Sequence, residues 1–446
     1  MCRIVNEHLS VQEKIQGALL NPVRNVLSNE QILGWCRRYG HVWRRRRFCP
    51  VVSLLACMFK QLQTVSSRAV EDYLALLAPQ IKQSLRDGRD FCNARARLPI
   101  PVFQQAMKHM AAAASSAAEL RYKQMKVCLI DGTTARTQRT QSNREAFHSS
   151  TNQHGKSRSP VMRLVILVCA GCGVVCELAF SPYDVAEARL FALIIFRLAS
   201  GILLIADTTA CSFMTFAIAQ SRGSHMLCPL RPDRKRMISK RLGKGETLEL
   251  WSRPGPSKIA YPLTLSQLPR VLEVRVIECI VHRKGYRDYK LTLATTLLDP
   301  LQYPRHELLA LYLQRWNIET DIRTLKHAHG LETLTGKTPQ ITCREMFSAV
   351  LAYNAVRLLM AQSGGMPRRL SHQRALLMIC NISSQMAAVS EIHLPAMFQT
   401  LLQSIRTATA PTQERPPEPR AILQRHRGFP YLKTSRKVWR ARHRVA

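Results

Sequence analysis

The chain has 446 residues, and its 65 Lys and Arg against 29 Asp and Glu give a formal net charge of +36. Hydrophobic residues make up 46% of it, which is enough for a substantial core and excludes wholesale disorder. A positive excess of this size predicts a polyanionic partner, either nucleic acid or an anionic membrane surface.

The apolar runs are too short for a membrane span. Residues 164–176 are bounded by Arg163 and Glu177, and residues 190–206 are interrupted by Arg197. Neither run reaches the ~20 residues that a bilayer requires, and the N-terminal residues lack the apolar centre of a signal peptide. We therefore expect a nucleic-acid partner, no membrane association and a cytoplasmic location.

The 14 cysteines predict neither a disulfide framework nor a zinc site. Most lie singly in apolar runs, as Cys57 and Cys128 do, where a free thiol behaves as a small hydrophobic side chain. Cys169, Cys172 and Cys176 cluster in a strand-like stretch, but no fourth ligand follows at zinc spacing.

Residues 1–120 are predicted to form a helical, basic N-terminal DNA-binding domain. Apolar residues recur at helical spacing in residues 28–38, 51–62, 69–77 and 102–120. The loops between these segments carry the run Arg44–Arg47 beside Trp43, and Arg95 with Arg97. We expect these loops to contact phosphates, although no spacing identifies a recognition helix.

Residues 121–345 are predicted to form an α/β domain with a β-rich, basic insertion at about 231–302. Strand-like runs cover residues 125–134, 161–169, 174–181, 201–209 and 225–230, with helices at 184–199 and 212–220. The insertion has further strand-like runs at 247–251, 259–263, 271–282 and 289–298. One long helix is predicted at 305–329.

Residues 346–446 are predicted to form a C-terminal helical region and a basic tail. A helix at 343–362 leads into this region, and the tail from about residue 408 is rich in Pro and Arg. Such a composition favours a segment that a polyanion orders.

Two aspartates and one helix face carry the candidate chemistry. Asp131 and Asp207 each follow an apolar strand, where open α/β sheets place their ligands. On the helix at 305–329, Arg315, Glu319 and Lys326 fall within about 60° of Tyr312, and Arg323 joins the same face. A charged, solvated helix face with intrahelical ion pairs is the alternative interpretation.

The pattern of these residues resembles the sequence signature of a known family. Tyr312, Arg315, Glu319 and Lys326 match the YREK signature of DDE transposases of the IS-four insertion-sequence type. The segments around Asp131 and Asp207, and those at 94–98, 293–299 and 350–357, are also similar to family segments, so the likeness covers most of residues 30–360.

The resemblance implies a ribonuclease-H-like core in which Asp131, Asp207 and Glu319 are catalytic and bind two divalent cations. Mg²⁺ suits such oxygen ligands, and Mn²⁺ is a substitute. Five residues of the signature helix would contact DNA: Tyr312, Arg315, Trp316, Arg323 and Lys326. The partners implied are double-stranded DNA, as terminal inverted repeats and target, and a second copy in a synaptic homodimer, in a bacterial nucleoid-associated setting.

Several alternatives stay open. The family has Arg-Gly-Phe or Arg-Gly-Tyr after the second aspartate, whereas Thr208-Thr209-Ala210 follows Asp207 here. Asp184 is the fallback carboxylate, although its position predicts an N-cap with Glu187 completing a capping box. Trp316 and Trp251 are stacking candidates or core residues. His148 and His154 are more simply surface histidines than ligands.

The implied function is cut-and-paste transposition, with metal-dependent cleavage at transposon ends and strand transfer into target DNA. The main alternative is a catalytically inactive relic that only binds DNA, and a third is a stand-alone nuclease of the same fold. No Walker-type or dinucleotide-binding glycine pattern occurs, so we expect no nucleotide cofactor.

Overall fold

The structure is a computed structural model that describes residues 23, 26–44, 48–77, 88–152, 155–255, 261–281, 289–386, 389, 391–411, 434, 438 and 441–442. Two units can be separated: a large one, Met1–Cys279 with Leu291–Pro411, and a small one, Ile280–Lys290 with Thr412–Ala446. Outside the described residues lie Arg45–Arg47, His154, part of the predicted strand at 259–263 and most of the predicted tail. The division into three domains stays a prediction.

The N-terminal part of the large unit is helical, as its apolar spacing predicts. Its helices are α1 (Asn29–Arg38), α2 (Pro50–Gln63), α3 (Ser67–Leu77), α4 (Arg89–Arg97) and α5 (Ile100–Ala117). Ser28 begins α1 through a capping box with Gln31, in which each side chain accepts from the other residue's backbone N–H. Almost every side chain of α2 is buried, so α2 is a core helix.

Helix α4 corrects one prediction. Arg95 and Arg97 were expected on a basic loop, but they end a helix. Arg95 is buried, with its guanidinium over the ring of Phe91, whereas Arg97 is exposed. Arg95 is therefore a core residue of this helix and does not face a phosphate.

A large mixed sheet forms the centre of the large unit. Its strands are β1 (Arg121–Tyr122), β2 (Met125–Arg136), β5 (Val161–Cys169), β6 (Val175–Pro182), β7 (Ile202–Ile205), β8 (His225–Pro229), β9 (Ile238–Gly243), β10 (Glu246–Ser252), β11 (Val271–Val281) and β12 (Tyr289–Thr295). The described strands run in the order β6-β5-β2-β7-β8-β12-β11-β10-β9, with β1 paired to β2. A separate hairpin joins β3 (Thr151–Asn152) and β4 (Gly155–Lys156). The fold class is therefore mixed α/β, as predicted.

Strand direction changes at β2. Strand β5 pairs antiparallel with both β6 and β2, whereas β7 lies parallel to β2 and β8 lies parallel to β7. The parallel neighbours end at one edge of the sheet, because the carboxyl ends of parallel strands point the same way. The residues that follow β7 and β8 lie at that edge.

Helices cover both faces of the sheet, and alternate residues of each strand point to opposite layers. Leu129 and Ile205 belong to the core on one face, while Ile130 and Leu204 belong to the core on the other. The second face is covered by α7 (Glu187–Phe196) and α8 (Phe213–Ser221). A short helix, α6 (Gln141–Phe147), lies between β2 and β3.

Strands β9 to β12 lie within the region predicted as a β-rich insertion, and they extend the central sheet. The strand predicted at 259–263 is not formed at its described residues, 261–263. Strand β12 pairs antiparallel with β8, with Leu293 opposite Pro229 and Thr295 opposite Leu227. Strands β9 and β10 pair antiparallel at the far edge. The insertion therefore continues the sheet on which the two aspartates lie.

The long helix predicted at 305–329 is two helices, α9 (Arg305–Leu313) and α10 (Trp316–Ala328). Gln314 and Arg315 donate their backbone N–H groups to carbonyls three residues earlier, so the chain tightens into a 3₁₀-type turn there. The C-terminal helices are α11 (Pro339–Gln362), α12 (His372–Met386) and α13 (Leu394–Thr407). Within the described residues, no helix combines the length and apolarity of a membrane span.

Candidate active site

Asp131 and Asp207 lie side by side at the carboxyl edge of the parallel strands. Leu129 of β2 is paired with Ile205 of β7, and each aspartate comes two residues after its paired residue. Asp207 keeps extended backbone angles, so alternation directs both aspartates to the sheet face of Leu129 and Ile205. Neighbouring strands lie ~4.8 Å apart, which makes the two carboxylates neighbours.

Helix α10 covers this same face and brings Glu319 to the aspartates. Ile318, Ile322 and Leu325 of α10 belong to the same buried core as Leu129 and Ile205. Glu319 lies on the flank of the helix, where its Oε1 accepts from Arg315 Nη2 at 2.8 Å.

The neighbouring charges act on Asp131. Burial, with smaller contributions from the negative charges of Asp207 and Glu319, raises the pKa of the Asp131 carboxyl to about 6, while a hydrogen bond from the Gly132 N–H and the charge of Arg315 oppose the shift. A carboxylate that is half-buried among other carboxylates resists ionisation unless a positive charge compensates.

Thr209 holds the carboxylate of Asp207 in place. Asp207 caps a short 3₁₀ turn, Thr208–Ala210, in which Oδ1 accepts from the Thr209 N–H at 3.0 Å and Oδ2 accepts from Thr209 Oγ1 at 2.9 Å. Thr209, the second of the two threonines that follow Asp207, therefore orients its carboxylate.

A fourth acid, Glu187, reaches the same edge from the opposite face of the sheet. A Cβ added at Gly132 would overlap the Glu187 carboxyl, so that carboxyl lies directly against the backbone next to Asp131. Burial and the charge of Asp207 raise the pKa of Glu187. The sequence analysis does not place Glu187 near Asp131. The glycine directly after Asp131 is the sequence feature that is consistent with this close approach.

The predicted N-cap at Asp184 is wrong. Helix α7 begins at Glu187, with Ala186 at its N-cap and no capping side chain. Asp184 is exposed and its Oδ1 lies 2.9 Å from Nδ1 of His148. Asp184 is therefore a surface residue, and Glu187 is the acid of this segment that reaches the candidate site.

The oxygens of the acids are not gathered around one point. Among the described residues, no three His, Cys, Asp or Glu groups form a cluster able to hold a metal ion. Glu319 is paired with Arg315 and Asp207 with Thr209. The donor set nevertheless fits a hard divalent cation, because it consists of carboxylates around a half-buried aspartate.

The other residues of the YREK signature occupy different surroundings. Tyr312 is 9% exposed and belongs to the core, whereas Trp316 is 60% exposed with the Arg315 guanidinium 4.9 Å from its ring centroid. Lys326 Nζ lies 3.4 Å from Glu332 Oε2, and Arg323 is exposed. Trp316 and Arg323 therefore offer an accessible surface beside Glu319, whereas the Arg315 side chain is 12% exposed and paired with Glu319, and Tyr312 packs into the core.

Trp251 is a core residue. It is 2% exposed, packs against Phe216 and carries the Arg234 guanidinium 3.5 Å from its ring centroid. The described cysteines are free thiols. Of the two stacking candidates, Trp316 alone is accessible.

The fold and the site define a class: an α/β protein with acidic side chains at the carboxyl edge of its parallel strands and a further acid on a facing helix. Comparison with known proteins gives the family. The transposase DDE domain model matches residues 122–355, more than half of the chain. The chain therefore belongs to the DDE transposases, and it is of the IS4 type.

Two individual proteins illustrate the relationship. The transposase InsG for insertion sequence element IS4 of Escherichia coli (strain K12) is 25% identical over 311 residues, which are 68% of this chain and 68% of that protein. A piggyBac transposase synaptic complex with hairpin DNA, solved by cryo-electron microscopy, is 8% identical over 86% of this chain and 85% of that one, with a TM-score of 0.40. A TM-score this low carries no argument about the fold.

Proposed function

We propose that this transposase cuts DNA at the ends of its own insertion element and joins the freed 3′ ends to a target. The observation that carries the proposal is the register of Asp131 and Asp207 on parallel strands, with Glu319 facing them from α10. Phosphoryl transfer on DNA needs negative oxygens that bind divalent cations at one place, and these three carboxylates are the candidates to supply them, although their oxygens do not converge on one point in this structure.

We further propose a ribonuclease-H-like core. Support comes from the strand order, in which the antiparallel strands β6, β5 and β2 are followed by β7 and β8 parallel to β2. In this arrangement the first and fourth strands of the core carry Asp131 and Asp207. The resemblance of the sequence segments around Asp131 and Asp207 to family segments implies the same ribonuclease-H-like core.

Asp131, Asp207 and Glu319 would hold two divalent cations, Mg²⁺ or Mn²⁺, with Glu187 as a further acid at the same edge. Such cations, when bound, neutralise the clustered carboxylates and activate a water or 3′-hydroxyl toward phosphate. The chain's own residues set the geometry. Thr209 orients Asp207, Arg315 holds the Glu319 carboxylate, and burial keeps Asp131 away from bulk water.

The DNA partner would lie along the accessible flank of α10. Arg323 is exposed there and is positioned to bind a phosphate, and the exposed ring of Trp316 offers a stacking surface, whereas the Arg315 side chain is 12% exposed and paired with Glu319. We propose terminal inverted repeats and target DNA as the duplexes bound, no nucleotide cofactor, and a homodimer that holds two ends together.

A DNA-binding relic without catalysis is the second candidate. Thr208-Thr209-Ala210 in place of the family's Arg-Gly motif favours it, as does the pairing of Glu319 with Arg315. Both candidates predict DNA binding that weakens steeply with salt, so binding alone does not separate them.

The deciding experiment measures nicking of a duplex that carries the inverted repeats flanking the coding region, with and without Mg²⁺ or Mn²⁺. The variants are Asp131→Ala, Asp207→Ala and Glu319→Ala, and Asp184→Ala is the matched surface control. We expect metal-dependent nicking in the parent and in the control, and none in the other three. Nicking in all three would overturn the site, and binding without nicking by the parent would favour the relic.

A further inference from the structure

Asp321 is a buried acid on the helix that carries Glu319. It lies two residues further along α10 and is 2% exposed. Its Oδ1 accepts from Arg357 Nη2 at 2.6 Å and its Oδ2 accepts from Arg368 Nη1 at 2.6 Å. Both oxygens of this carboxylate are therefore occupied by guanidinium groups.

The two arginines connect Asp321 to the turn between β5 and β6. Arg368 donates from Nε to the Ala170 carbonyl at 2.7 Å and from Nη2 to the Cys169 carbonyl at 3.0 Å. Arg357 donates from Nε to the hydroxyl of Tyr353 at 2.8 Å. That hydroxyl in turn donates to the carbonyl of Gly173 at 3.0 Å.

This turn directly follows β5, and β5 pairs with β2, the strand that carries Asp131. Strand β5 lies antiparallel to β2, and Ile166 of β5 is opposite Asp131. A chain of charge-assisted hydrogen bonds therefore joins the helix of Glu319 to the sheet that carries Asp131. In this chain, the Arg368 side chain links the Asp321 carboxylate to the backbone carbonyls of Cys169 and Ala170.

The apolar contacts of α10 do not by themselves fix its rotation. Ile318, Ile322 and Leu325 hold the helix on the sheet, but burial of apolar surface is non-directional. Two residues correspond to about 200° of helix rotation, so Asp321 and Glu319 lie on nearly opposite sides of α10. The hydrogen bonds of Asp321 on one side of α10 thus determine where the Glu319 carboxylate on the other side points.

We propose that Asp321 is a positioning residue: its clamp by Arg357 and Arg368 fixes the rotation and height of α10, and so aims Glu319 at Asp131 and Asp207. The inference rests on the proposed function of the three acids. Removing a group that orients a metal ligand changes metal affinity by about 10- to 100-fold.

Glu345 provides a matched control for simple loss of stability. It is buried like Asp321 and accepts hydrogen bonds from Thr335 N, Thr335 Oγ1 and Gly336 N at 2.8, 2.6 and 2.8 Å. It also pairs with Lys60 at 3.4 Å. None of these partners lies on α10, so Glu345 has no direct hold on that helix.

The test is Mn²⁺ binding by the full-length protein, followed by the electron paramagnetic resonance signal of free Mn²⁺, together with thermal melting. For Asp321→Asn we expect Mn²⁺ affinity about tenfold weaker than the parent's. Glu345→Gln lowers the melting temperature but leaves the Mn²⁺ affinity within about twofold, because its network does not touch a ligand. Arg368→Lys keeps the positive charge but loses the planar guanidinium that donates to Asp321, Ala170 and Cys169. If Asp321→Asn does not fold, the Mn²⁺ affinity of this variant tests the inference.

Parent-like Mn²⁺ affinity in the folded Asp321→Asn or Arg368→Lys protein would overturn the inference. Equal weakening in Glu345→Gln would also overturn it, because the effect would then be general destabilisation. A parent whose Mn²⁺ binding is unaffected by Asp131→Asn would instead overturn the proposed function and this inference with it. Weakening confined to the two clamp variants supports both.

Discussion

Asp131 and Asp207 are each two residues beyond a paired position of two parallel strands, Leu129 and Ile205. Strand register alone makes their carboxylates neighbours, although 75 residues of chain lie between them. Helix α10 then adds Glu319 from the same face. The site therefore depends on the sheet, and a change that preserves the sheet but removes a carboxylate isolates its chemistry.

Asp131→Asn is expected to abolish nicking while sparing DNA binding. The amide keeps the shape of the side chain but removes the negative charge, and we expect a rate loss on the order of 1000-fold or more, which is about 4 kcal/mol in the barrier. Binding of the terminal-repeat duplex stays equal or tightens, because one charge that repels phosphate is gone. Gel-based nicking and fluorescence anisotropy measure the two effects; parallel losses in both would contradict the assignment.

Gly132→Ala is expected to reduce activity through Glu187. The new Cβ overlaps the Glu187 carboxyl, which is the far end of a flexible side chain and can move away. The free energy of unfolding therefore changes by less than about 1 kcal/mol, while nicking falls as far as it does in Glu187→Gln.

The double variant Gly132→Ala/Glu187→Gln separates coupled from independent effects. Both single changes act on one carboxylate, so the double variant should be no slower than the slower single variant. Additive losses would show that Gly132→Ala acts by another route than the Glu187 carboxyl, and an unaffected Glu187→Gln protein would show that this carboxyl has no part in the reaction.

Thr209→Val is expected to slow nicking about tenfold, since one of the two hydrogen bonds to Asp207 is lost, worth about 1.5 kcal/mol for a charged acceptor. Thr209→Ser keeps the hydroxyl and serves as the control, with near-parental rates. Single-turnover kinetics measure the chemical step directly. Equal rates for the valine and serine variants would show that the hydroxyl does not orient Asp207.

Arg323→Gln is expected to weaken DNA binding without changing the metal requirement. Arg323 is exposed beside Trp316 and Glu319 on α10, where a guanidinium meets phosphate. Loss of one phosphate contact reduces the slope of log affinity against log salt by about 0.9. Anisotropy titrations over a range of KCl concentrations give this slope; a slope equal to the parent's would place the DNA elsewhere.

The protein is expected to lose stability as pH falls from about 6.5 to about 4. Burial, with a smaller contribution from the charge of Arg357, lowers the pKa of His329 to about 4, and burial together with the charges of His329 and Arg357 lowers the pKa of His372 well below the ordinary value. The unfolded chain binds protons in this range while the folded chain does not, so the free energy of unfolding rises with pH by at most about 1.4 kcal/mol per pH unit for each imidazole.

The buried histidine pair can be tested directly. The two Nε2 atoms lie 2.9 Å apart, so the pair shares at most one proton between these nitrogens. Urea unfolding at a series of pH values measures the dependence, and His372→Gln should flatten it. A stability that is constant between pH 6.5 and 4 would show that neither imidazole is buried as a neutral group.

Much of the fold follows from apolar periodicity. The strands at 125–136 and 161–169 have apolar runs that no solvent-exposed element would carry, and their predicted positions are confirmed. The break between α9 and α10 could not be predicted, because it depends on a tightening of the backbone at Gln314 and Arg315 without any proline or glycine.

Of the candidate site, the sequence predicts the acids at strand ends better than their surroundings. Asp131 and Asp207 were indicated by the apolar runs before them, and strand register places the two side by side, with Glu319 on the helix that covers the same face. Glu187 was assigned to a cap because its segment resembles a helix start. Its contact with Gly132 is between residues 55 positions apart, and such tertiary contacts have no local pattern.

The most direct measurement is anomalous diffraction at the manganese edge from crystals of the protein with its terminal-repeat DNA and Mn²⁺. We expect peaks with oxygens of Asp131, Asp207 and Glu319 at about 2.1–2.3 Å, the range for divalent cations bound by carboxylates. Manganese bound elsewhere, or absent from a fully formed DNA complex, would contradict the account of these acids as one catalytic centre.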